Sequence, residues 1–284
     1  MTTDRTRPTT RWVVFTDLDG TLLDARTYSA APAQPALAAL ASRGVPVVFC
    51  SSKTAAEQRP IRRSLGLEPA PFIVENGSAV IVPQAAGVPA HDWPRLAGDP
   101  GERVHVLGLP AAEVRAGIAR ATTAAGVRVT GYADLCAREV AALTGLTEAE
   151  ATRAQQRDYS ETLIDELPAR VWRDLDVTFA AEGLRCQHGG RFHTVTSAYA
   201  DKGRATRVVM KMFGPTASEV IRTIGLGDSA NDADLLAAVD RPFLIARHEG
   251  GWAPLDQPNL CRISRAGPEG WNEAILGVLA EVES

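Results

Sequence analysis

The chain has 284 residues, a length that fits one large or two modest domains. Its hydrophobic content of 45%, charged content of 23% and formal net charge of -4 are typical of a globular protein. No long basic stripe runs through the sequence, and no apolar run is long enough to span a bilayer. We therefore expect no nucleic-acid partner and no membrane partner.

The cysteines and the first residues indicate a cellular compartment. Cys50, Cys136, Cys186 and Cys261 are widely separated and form no CxxC pair. This usage argues against a structural zinc site or a disulfide framework and favours a reducing compartment. Residues 1–10 are polar and lack the apolar centre of a signal peptide. We expect a cytoplasmic protein.

Short apolar runs alternate with helical segments in the first 84 residues. A helix is expected at Gln34–Ser42, and a capping box of Thr54 and Glu57 opens another. The buried strands are expected at Trp12–Thr16, Val45–Cys50 and Phe72–Val74. This alternation predicts parallel βαβ units.

The pattern changes after residue 84 and returns near residue 198. Residues 84–101 are rich in Pro, Gly and Ala and are typical of a linker. The strands and helices expected beyond it include strands at 103–107, 127–130 and 162–164 and helices at 110–125, 148–157 and 169–181. We interpret residues 85–197 as an inserted α+β cap domain.

The alternating pattern resumes in the last third of the chain. Here we expect helices at 202–212, 231–239 and 271–282 and strands at 220–226, 243–246 and 261–263. The fold class is therefore α/β, with a doubly wound, mostly parallel-sheet core. That core combines residues 1–84 with residues 198–284.

Two carboxylates directly follow the first predicted strand, in the run Asp17-Leu-Asp-Gly-Thr21. Asp17 and Asp19 are two residues apart at a strand end, so both can face one crevice. Such a pair suits Mg²⁺, which prefers a few carboxylates together with waters and a substrate phosphate. An acidic turn is the alternative for an isolated DxD. The flanking strand and the Gly-Thr that follows favour a functional site.

Two further polar residues stand at element ends. Ser51 follows the second strand, where its hydroxyl and nearby N–H groups can bind a phosphoryl oxygen. Lys202 opens the first helix after the insertion. Taken alone, the serine is more often a turn residue and the lysine a surface charge. A functional role for both residues is favoured only because carboxylates are predicted at the same edge of the sheet.

The fourth motif is Gly227-Asp-Ser-Ala-Asn-Asp232, between a strand and a helix. Gly225, Gly227 and Ala230 also match the spacing of a dinucleotide fingerprint. That interpretation places the Asp228 carboxylate beside a pyrophosphate, and the fingerprint belongs in a first βα unit. A metal held by Asp228 and Asp232 explains the charges better.

Together, in order, spacing and strand context, the four motifs resemble the haloacid dehalogenase superfamily of phosphohydrolases. A narrower resemblance, to the mannosyl-3-phosphoglycerate phosphatase family, covers most of the chain. It rests on the runs Phe15-Thr-Asp-Leu-Asp-Gly-Thr-Leu-Leu-Asp24, Cys50-Ser-Ser-Lys-Thr54, Pro71-Phe-Ile-Val-Glu-Asn-Gly77, Arg157-Asp-Tyr-Ser-Glu161 and Gly267-Pro-Glu-Gly-Trp-Asn-Glu-Ala-Ile275.

The resemblance implies a mechanism. Asp17 is expected to attack phosphorus and form an aspartyl-phosphate, with Asp19 as general acid and base. Mg²⁺ is the implied cofactor, held by Asp17, the Asp19 backbone carbonyl and Asp228, with Asp232 in support. Ser51 and Lys202 are expected to contact the phosphoryl group.

The implied substrate is a small phosphorylated sugar acid. Arg157, Ser160 and Arg191 are candidate contacts for its carboxylate, because arginine binds carboxylates through two hydrogen bonds. Alternatively, the two arginines pair with cap carboxylates. The remaining candidate substrate contacts are Glu75 and Asn76, facing sugar hydroxyls, and Asn231.

Three rival functions are also compatible with the sequence. The nearest is a phosphatase of another sugar phosphate, including the glucosyl analogue. Another is a non-catalytic module that binds phosphorylated metabolites in the same crevice. The third is a dinucleotide-dependent oxidoreductase.

Overall fold

The structure, a computed structural model, describes residues 9–90, 92–97, 99–188, 192–214 and 219–283. The strands of these ranges are β1 (Thr9–Thr16), β2 (Val47–Phe49), β3 (Phe72–Val74), β4 (Ala79–Pro83), β5 (Arg95–Leu96), β6 (Asp99–Val106), β7 (Ser160–Leu163), β8 (Leu184–His188), β9 (His193–Ser197), β10 (Glu219–Gly227), β11 (Arg241–Ala246) and β12 (Cys261–Ala266). The helices are α1 (Gln34–Ser42), α2 (Ala55–Ser64), α3 (Ala111–Ala125), α4 (Ala137–Thr144), α5 (Glu148–Gln155), α6 (Ala169–Ala181), α7 (Lys202–Phe213), α8 (Ala233–Leu236) and α9 (Gly267–Glu283).

A parallel sheet with the strand order β12-β11-β10-β1-β2 forms the core. Strand β1 lies inside this sheet, and its side chains alternate between two apolar clusters. Val14 packs into the cluster that contains α1 and α9. Val13 and Phe15 pack into the cluster that contains α7. Because helices cover both faces of a parallel sheet, the predicted doubly wound α/β core is confirmed.

A second, antiparallel sheet has the order β3-β4-β6-β5 and adjoins the core sheet. A parallel bridge between Cys50 and Ile73 links it to the end of β2. Strand β6 pairs with β4 from Val106 opposite Ala79 to Glu102 opposite Pro83. The predicted boundary between residues 84 and 85 therefore runs between two paired strands. This pairing favours a cap that begins after β6, and the division into domains stays a prediction.

The cap sheet is antiparallel, with the order β7-β9-β8. One of its faces packs against α3 and α6 through Leu163, Leu184 and Val195. Helices α4 and α5 enclose a smaller cluster around Val140. The expected α+β character of the insertion is confirmed by these elements.

Three predicted segments differ from the structure. The linker expected at 84–101 contains β5 and the first residues of β6. The described residues 127–130 do not form the expected strand, and the N–H of Thr130 donates to the Asp165 carboxylate instead of to a neighbouring strand. The helix expected at 231–239 is reduced to the four residues of α8, since a 3-10 turn at Ala230–Asp232 precedes it. None of the described helices is both long enough and apolar enough to cross a membrane.

Candidate active site

The carboxyl ends of neighbouring parallel strands bring the sequence motifs together. Asp17 follows β1, Ser51 follows β2 and Asp228 follows β10. The N–H of Asp17 donates to the carbonyl of Leu226 at 2.9 Å, which continues the pairing of β1 with β10 beyond the last strand residue. The side chains of Asp17 and Asp228 therefore share one edge of the sheet, where open parallel sheets bind ligands. We call this edge the catalytic edge: it comprises Asp17, Ser51 and Asp228, together with Asp232 from the turn that follows β10.

Lys202 lies between two carboxylates of the catalytic edge. Its Nζ is 2.6 Å from Asp17 Oδ1 and 2.6 Å from Asp232 Oδ1, and its side chain is fully buried. Burial works against the ammonium, but Asp17 and Asp232 outweigh it and hold the pKa of Lys202 above its usual range. Lys202 is therefore charged and fixed in place. It is the buried cation that the anionic edge requires.

Three carboxylates form the part of this edge that is suited to a metal. One oxygen from each of Asp17, Asp228 and Asp232 lies within 4.8 Å of the others. Burial, opposed by Lys202, raises the pKa of Asp17 to about 7. Burial and then the charges of Asp232 and Asp17 raise the pKa of Asp228 well above its usual range. One lysine does not balance these charges, and hard oxygen ligands suit Mg²⁺. The residues therefore fit the expected cofactor.

Asp232 also shapes the loop that carries Asp228. Its Oδ2 accepts the N–H groups of Asp228 at 3.0 Å and Ser229 at 3.1 Å. A Cβ at position 227 would lie 2.5 Å from atoms of the Asp232 side chain. Glycine at this position thus makes room for a buried carboxylate, which accounts for the glycine shared with the dinucleotide fingerprint. Beside it, Asn231 Oδ1 accepts the hydroxyl of Ser229.

The Asp19 carboxylate is not part of the three-carboxylate cluster that could hold a metal. Its Oδ2 is 3.0 Å from the Nζ of Lys53, and that lysine also lies 3.8 Å from Glu57 Oε1 and 5.3 Å from the centre of the Tyr28 ring. Burial opposes the charge on Lys53, but Asp19 and Glu57 raise its pKa above its usual range. Sequence reasoning missed Lys53. Its position two residues after Ser51, at a strand end, was the available signal.

A loop of left-handed backbone supports the Ser51 segment. Glu75, Asn76 and Gly77 have φ values of 49°, 59° and 90°. The N–H of Asn76 donates to Ser51 O at 2.9 Å, and that of Glu75 donates to Lys53 O at 3.1 Å. A Cβ at Gly77 would lie 2.2 Å from the carbonyl oxygen of Asp201, the residue before α7. The loop therefore packs between the Ser51 segment and the start of the helix that carries Lys202.

Glu75 also joins the core to the cap. Its carboxylate accepts the N–H groups of Asp158 and Tyr159, each at 3.0 Å, and the Ser160 hydroxyl at 2.5 Å. Burial raises its pKa, although Arg157 and these hydrogen bonds oppose the rise. The carboxylate that was expected to meet sugar hydroxyls is thus already hydrogen-bonded to the cap. Oδ1 of the adjacent Asn76 is buried and has no partner in the described part of the chain.

Two of the three residues expected to bind the substrate carboxylate, Arg157 and Ser160, are among the described residues. Arg157 Nη1 donates to Ser160 Oγ at 2.9 Å and to Ser52 O at 3.3 Å, so this arginine spans the junction of cap and core. Its guanidinium lies 5.9 Å from the centre of the Tyr132 ring. Arg191 lies outside the described residues.

Comparisons with known proteins agree with this geometry. The family model described as haloacid dehalogenase-like hydrolase matches residues 14–90. A relative from Persephonella marina, named glucosyl-3-phosphoglycerate/mannosyl-3-phosphoglycerate phosphatase, is 36% identical over 95% of this chain and 98% of its own. A relative of the same name from Methanococcoides burtonii is 34% identical over 95% of this chain and 97% of its own.

Two solved structures share the fold. A haloacid dehalogenase-like hydrolase from Bacteroides thetaiotaomicron has a TM-score of 0.63 at 14% identity and covers 94% of this chain and 99% of its own. The sucrose-phosphatase from Synechocystis has a TM-score of 0.59 at 14% identity, covering 96% and 98%. With two relatives above 30% identity across almost the whole length, the chain belongs to the haloacid dehalogenase-like hydrolases, and it is a phosphoric monoester hydrolase.

Proposed function

We propose that this phosphatase hydrolyses mannosyl-3-phosphoglycerate to mannosylglycerate and phosphate through an aspartyl-phosphate on Asp17. The observation that carries the substrate is the 36% identity to a phosphatase named for this ester, because the identity extends through the cap as well as the core. The same relative is also named for the glucosyl ester, so glucosyl-3-phosphoglycerate is the second candidate. We further propose that the enzyme acts in the cytoplasm, which its spaced cysteines favour.

The first chemical step belongs to Asp17. A carboxylate oxygen of Asp17 attacks phosphorus, the bond from phosphorus to the glycerate oxygen breaks, and that oxygen takes a proton from Asp19. The ion pair with Lys202 at 2.6 Å supports this role because it fixes the Asp17 carboxylate and reduces its repulsion from an anionic phosphate. Holding the nucleophile in one orientation lowers the entropic part of the barrier.

The second step belongs to Asp19. After the sugar acid leaves, Asp19 takes a proton from water, the water oxygen attacks phosphorus, and the bond to Asp17 breaks to release phosphate. Asp19 Oδ1 is buried without a partner among the described residues, whereas Oδ2 contacts Lys53 at 3.0 Å. This difference supports the proposed role, because Lys53 holds Oδ2 in place and leaves Oδ1 free to give up or accept a proton.

The metal that we propose is Mg²⁺. Asp17, Asp228 and the Asp19 backbone carbonyl would hold it, and Asp232 would support the set through its bonds to the Asp228 loop. When bound, the ion supplies positive charge that offsets the charge of the phosphate. Ser51 is proposed to bind a phosphoryl oxygen, and its neighbour Asn76 is proposed to face the same crevice from the loop after β3.

The cap is proposed to bind the sugar acid. Arg157 and Ser160 lie where the cap meets the Ser51 segment, which supports a contact with the glycerate carboxylate. Arg191 is proposed for the same group from the sequence alone, and Asn231 from its place beside Asp232. Glu75 is proposed to hold Arg157 and Ser160 in position rather than to bind sugar directly.

A phosphate-release screen tests this function. The purified enzyme is compared on mannosyl-3-phosphoglycerate, glucosyl-3-phosphoglycerate, simple hexose phosphates and sucrose phosphate, with Mg²⁺ and with a chelator. We expect the highest kcat/KM on a glycosylated phosphoglycerate and loss of activity in chelator. A higher kcat/KM on any sugar phosphate that lacks the glycerate would contradict the proposed substrate.

A further inference from the structure

Along the paired residues of its three strands, one face of the cap sheet carries only polar side chains. Side chains alternate between the faces along a strand, and directly opposed residues of antiparallel strands share a face. The pairing of β7 with β9 and of β8 with β9 therefore defines two rows of side chains on this face. We call it the polar cap face: its first row is Ser160, Thr196 and Arg185, and its second row is Thr162, Thr194 and Gln187.

The polar cap face is directed at the core. At one edge the Ser160 hydroxyl contacts Glu75, and at the other Arg185 Nη2 lies 3.1 Å from Asp234 Oδ2. Asp234 belongs to α8, directly after the Asp228 loop. Thr196 is paired with Ser160 on one side and Arg185 on the other, so its side chain lies between those two contacts on the same face. The opposite face of the sheet is covered by α3 and α6.

Several groups on this face are buried without hydrogen bonds. Thr196 is 0% exposed and Thr162 is 4% exposed, yet neither hydroxyl has a partner in the described ranges. The same is true of both polar atoms of the Gln187 side chain, which is 8% exposed. Burying polar groups without partners is unfavourable, and native proteins rarely keep four such atoms together without a use.

The unpartnered groups indicate the chemistry of their ligand. Hydroxyl and amide groups both donate and accept hydrogen bonds, as the hydroxyls of a sugar do. The rows span about 10 Å across three strands and about 7 Å along them, which is the scale of one hexose ring. The face carries no carboxylate, and its one cation, Arg185, is paired with Asp234. It therefore suits a neutral sugar better than a phosphate or a carboxylate.

We propose that the polar cap face binds the hexosyl group of the substrate, with Thr162, Gln187 and Thr196 as the residues that meet its hydroxyls. This inference rests on the proposed function for the presence of a hexosyl group. It assigns the sugar to the cap sheet and leaves Glu75 as a positioning residue. Thr162, Gln187 and Thr196 are buried in the present arrangement, so the proposal requires the face to become accessible before the sugar binds.

Replacing the two threonines by valine tests the proposal, because valine keeps their shape and removes the hydroxyl. Thr162→Val, Thr196→Val and the double variant are compared on a glycosylated phosphoglycerate and on p-nitrophenyl phosphate, which has no sugar. We expect kcat/KM for the glycosylated ester to fall roughly three- to tenfold for each hydroxyl, with aryl phosphate turnover unchanged. The matched control is Thr178→Val, which removes a hydroxyl bonded to Leu175 O within α6.

Thermal melting supplies a second readout. Removing a buried hydroxyl that has no partner should leave the melting temperature unchanged or raise it. A hydroxyl with a structural role would instead lower the melting temperature and depress both esters together. That result, or an unchanged kcat/KM for the glycosylated ester in the double variant, would overturn the proposal.

The wild-type enzyme separates failure of this proposal from failure of the proposed function. If it prefers a glycosylated phosphoglycerate and the valine variants retain that preference, the substrate stands and the polar cap face is wrong. If it prefers a different sugar ester, the proposed substrate is wrong. The variants are then compared on that preferred ester, where a selective loss supports the polar cap face and an unchanged kcat/KM overturns it.

Discussion

The catalytic edge of the core and the polar cap face both contain buried polar groups, but these groups are paired with one another only at the catalytic edge. At the catalytic edge, Lys202 lies 2.6 Å from each of two carboxylates, so the charged groups hold one another in place. On the polar cap face, the hydroxyls of Thr162 and Thr196 are buried without partners. The proposed reacting groups are therefore organised before the substrate arrives, whereas the polar cap face has hydrogen-bonding groups that only a ligand would satisfy. Substitutions at the catalytic edge should therefore lower the turnover of every ester, whereas substitutions on the polar cap face should lower kcat/KM for the glycosylated ester alone.

Asp17→Asn should cause the greatest loss of activity, because it removes the proposed nucleophile from the catalytic edge. Asparagine has nearly the same shape but cannot form the covalent intermediate. We expect phosphate release to fall by at least about a thousandfold on every ester, with folding intact. Phosphate release from a sugar ester and an aryl ester, with a melting curve as control, measures this. Activity near that of the wild type would rule out Asp17 as the nucleophile.

Asp228→Asn should weaken the proposed metal site and lower activity by about ten- to a hundredfold. Excess Mg²⁺ should recover part of the loss, because the remaining oxygen ligands still favour the ion. A Mg²⁺ titration of activity in both proteins measures the shift. In chelator the wild type should become inactive too, and a wild type indifferent to chelator would contradict the metal assignment.

Arg157→Ala tests whether recognition separates from reaction. If Arg157 binds the glycerate carboxylate, the variant should lose about tenfold to a hundredfold in kcat/KM on the glycosylated phosphoglycerate and little on an aryl phosphate. Arg157→Lys is the matched control, since it keeps the charge and loses the paired hydrogen-bond geometry. Equal losses of Arg157→Ala on both esters, with a lower melting temperature, would make this arginine part of the scaffold.

Glu75→Gln should lower activity less than these changes, because Glu75 lies between the catalytic edge and the cap and is not proposed to react. The amide nitrogen of glutamine would face an N–H or hydroxyl donor where Glu75 now accepts from Asp158, Tyr159 and Ser160. We expect about a three- to tenfold loss on the glycosylated ester, and faster hydrogen exchange at the amides of Asp158 and Tyr159. Unchanged exchange at those amides would show that Glu75 does not hold the cap segment.

The core was predictable from the sequence because its signals are local. The apolar run Trp12–Thr16 lies within β1, and the motifs at Asp17, Ser51 and Asp228 follow strands that pair in parallel. Parallel strands end at one sheet edge, so their terminal side chains converge whatever the intervening loops do. The sequence therefore indicated both the fold class and the grouping of the candidate catalytic residues.

The cap-facing chemistry was not predictable because it depends on strand register. Ser160 opposes Thr196 across 36 positions of sequence, and Glu75 finds its partners 83 to 85 residues away. Nothing local specifies these pairings, and a shift of one residue would move the threonines to the apolar face. Lys53 was missed for a related reason, since its value lies in its contact with Asp19 across two loops.

A more modest change is expected in how the stability of the fold depends on pH, through the Asp17 carboxyl group. Burial raises the pKa of Asp17 from the ordinary 3.8 to about 7. Between these values the folded protein holds a proton that the unfolded chain has released, so this stabilisation is full below pH 3.8 and is lost as the pH rises through about 7. In chelator, the melting temperature of the wild type should therefore fall by a few degrees relative to Asp17→Asn between about pH 5 and pH 8.

Mg²⁺ provides the control for this measurement. Adding it should remove the difference between the two proteins in the slope of melting temperature against pH, because the ion favours the ionised carboxylate. Parallel melting curves of the two proteins across this range measure the effect, and identical slopes in chelator would mean that the Asp17 carboxyl keeps its ordinary pKa in the fold.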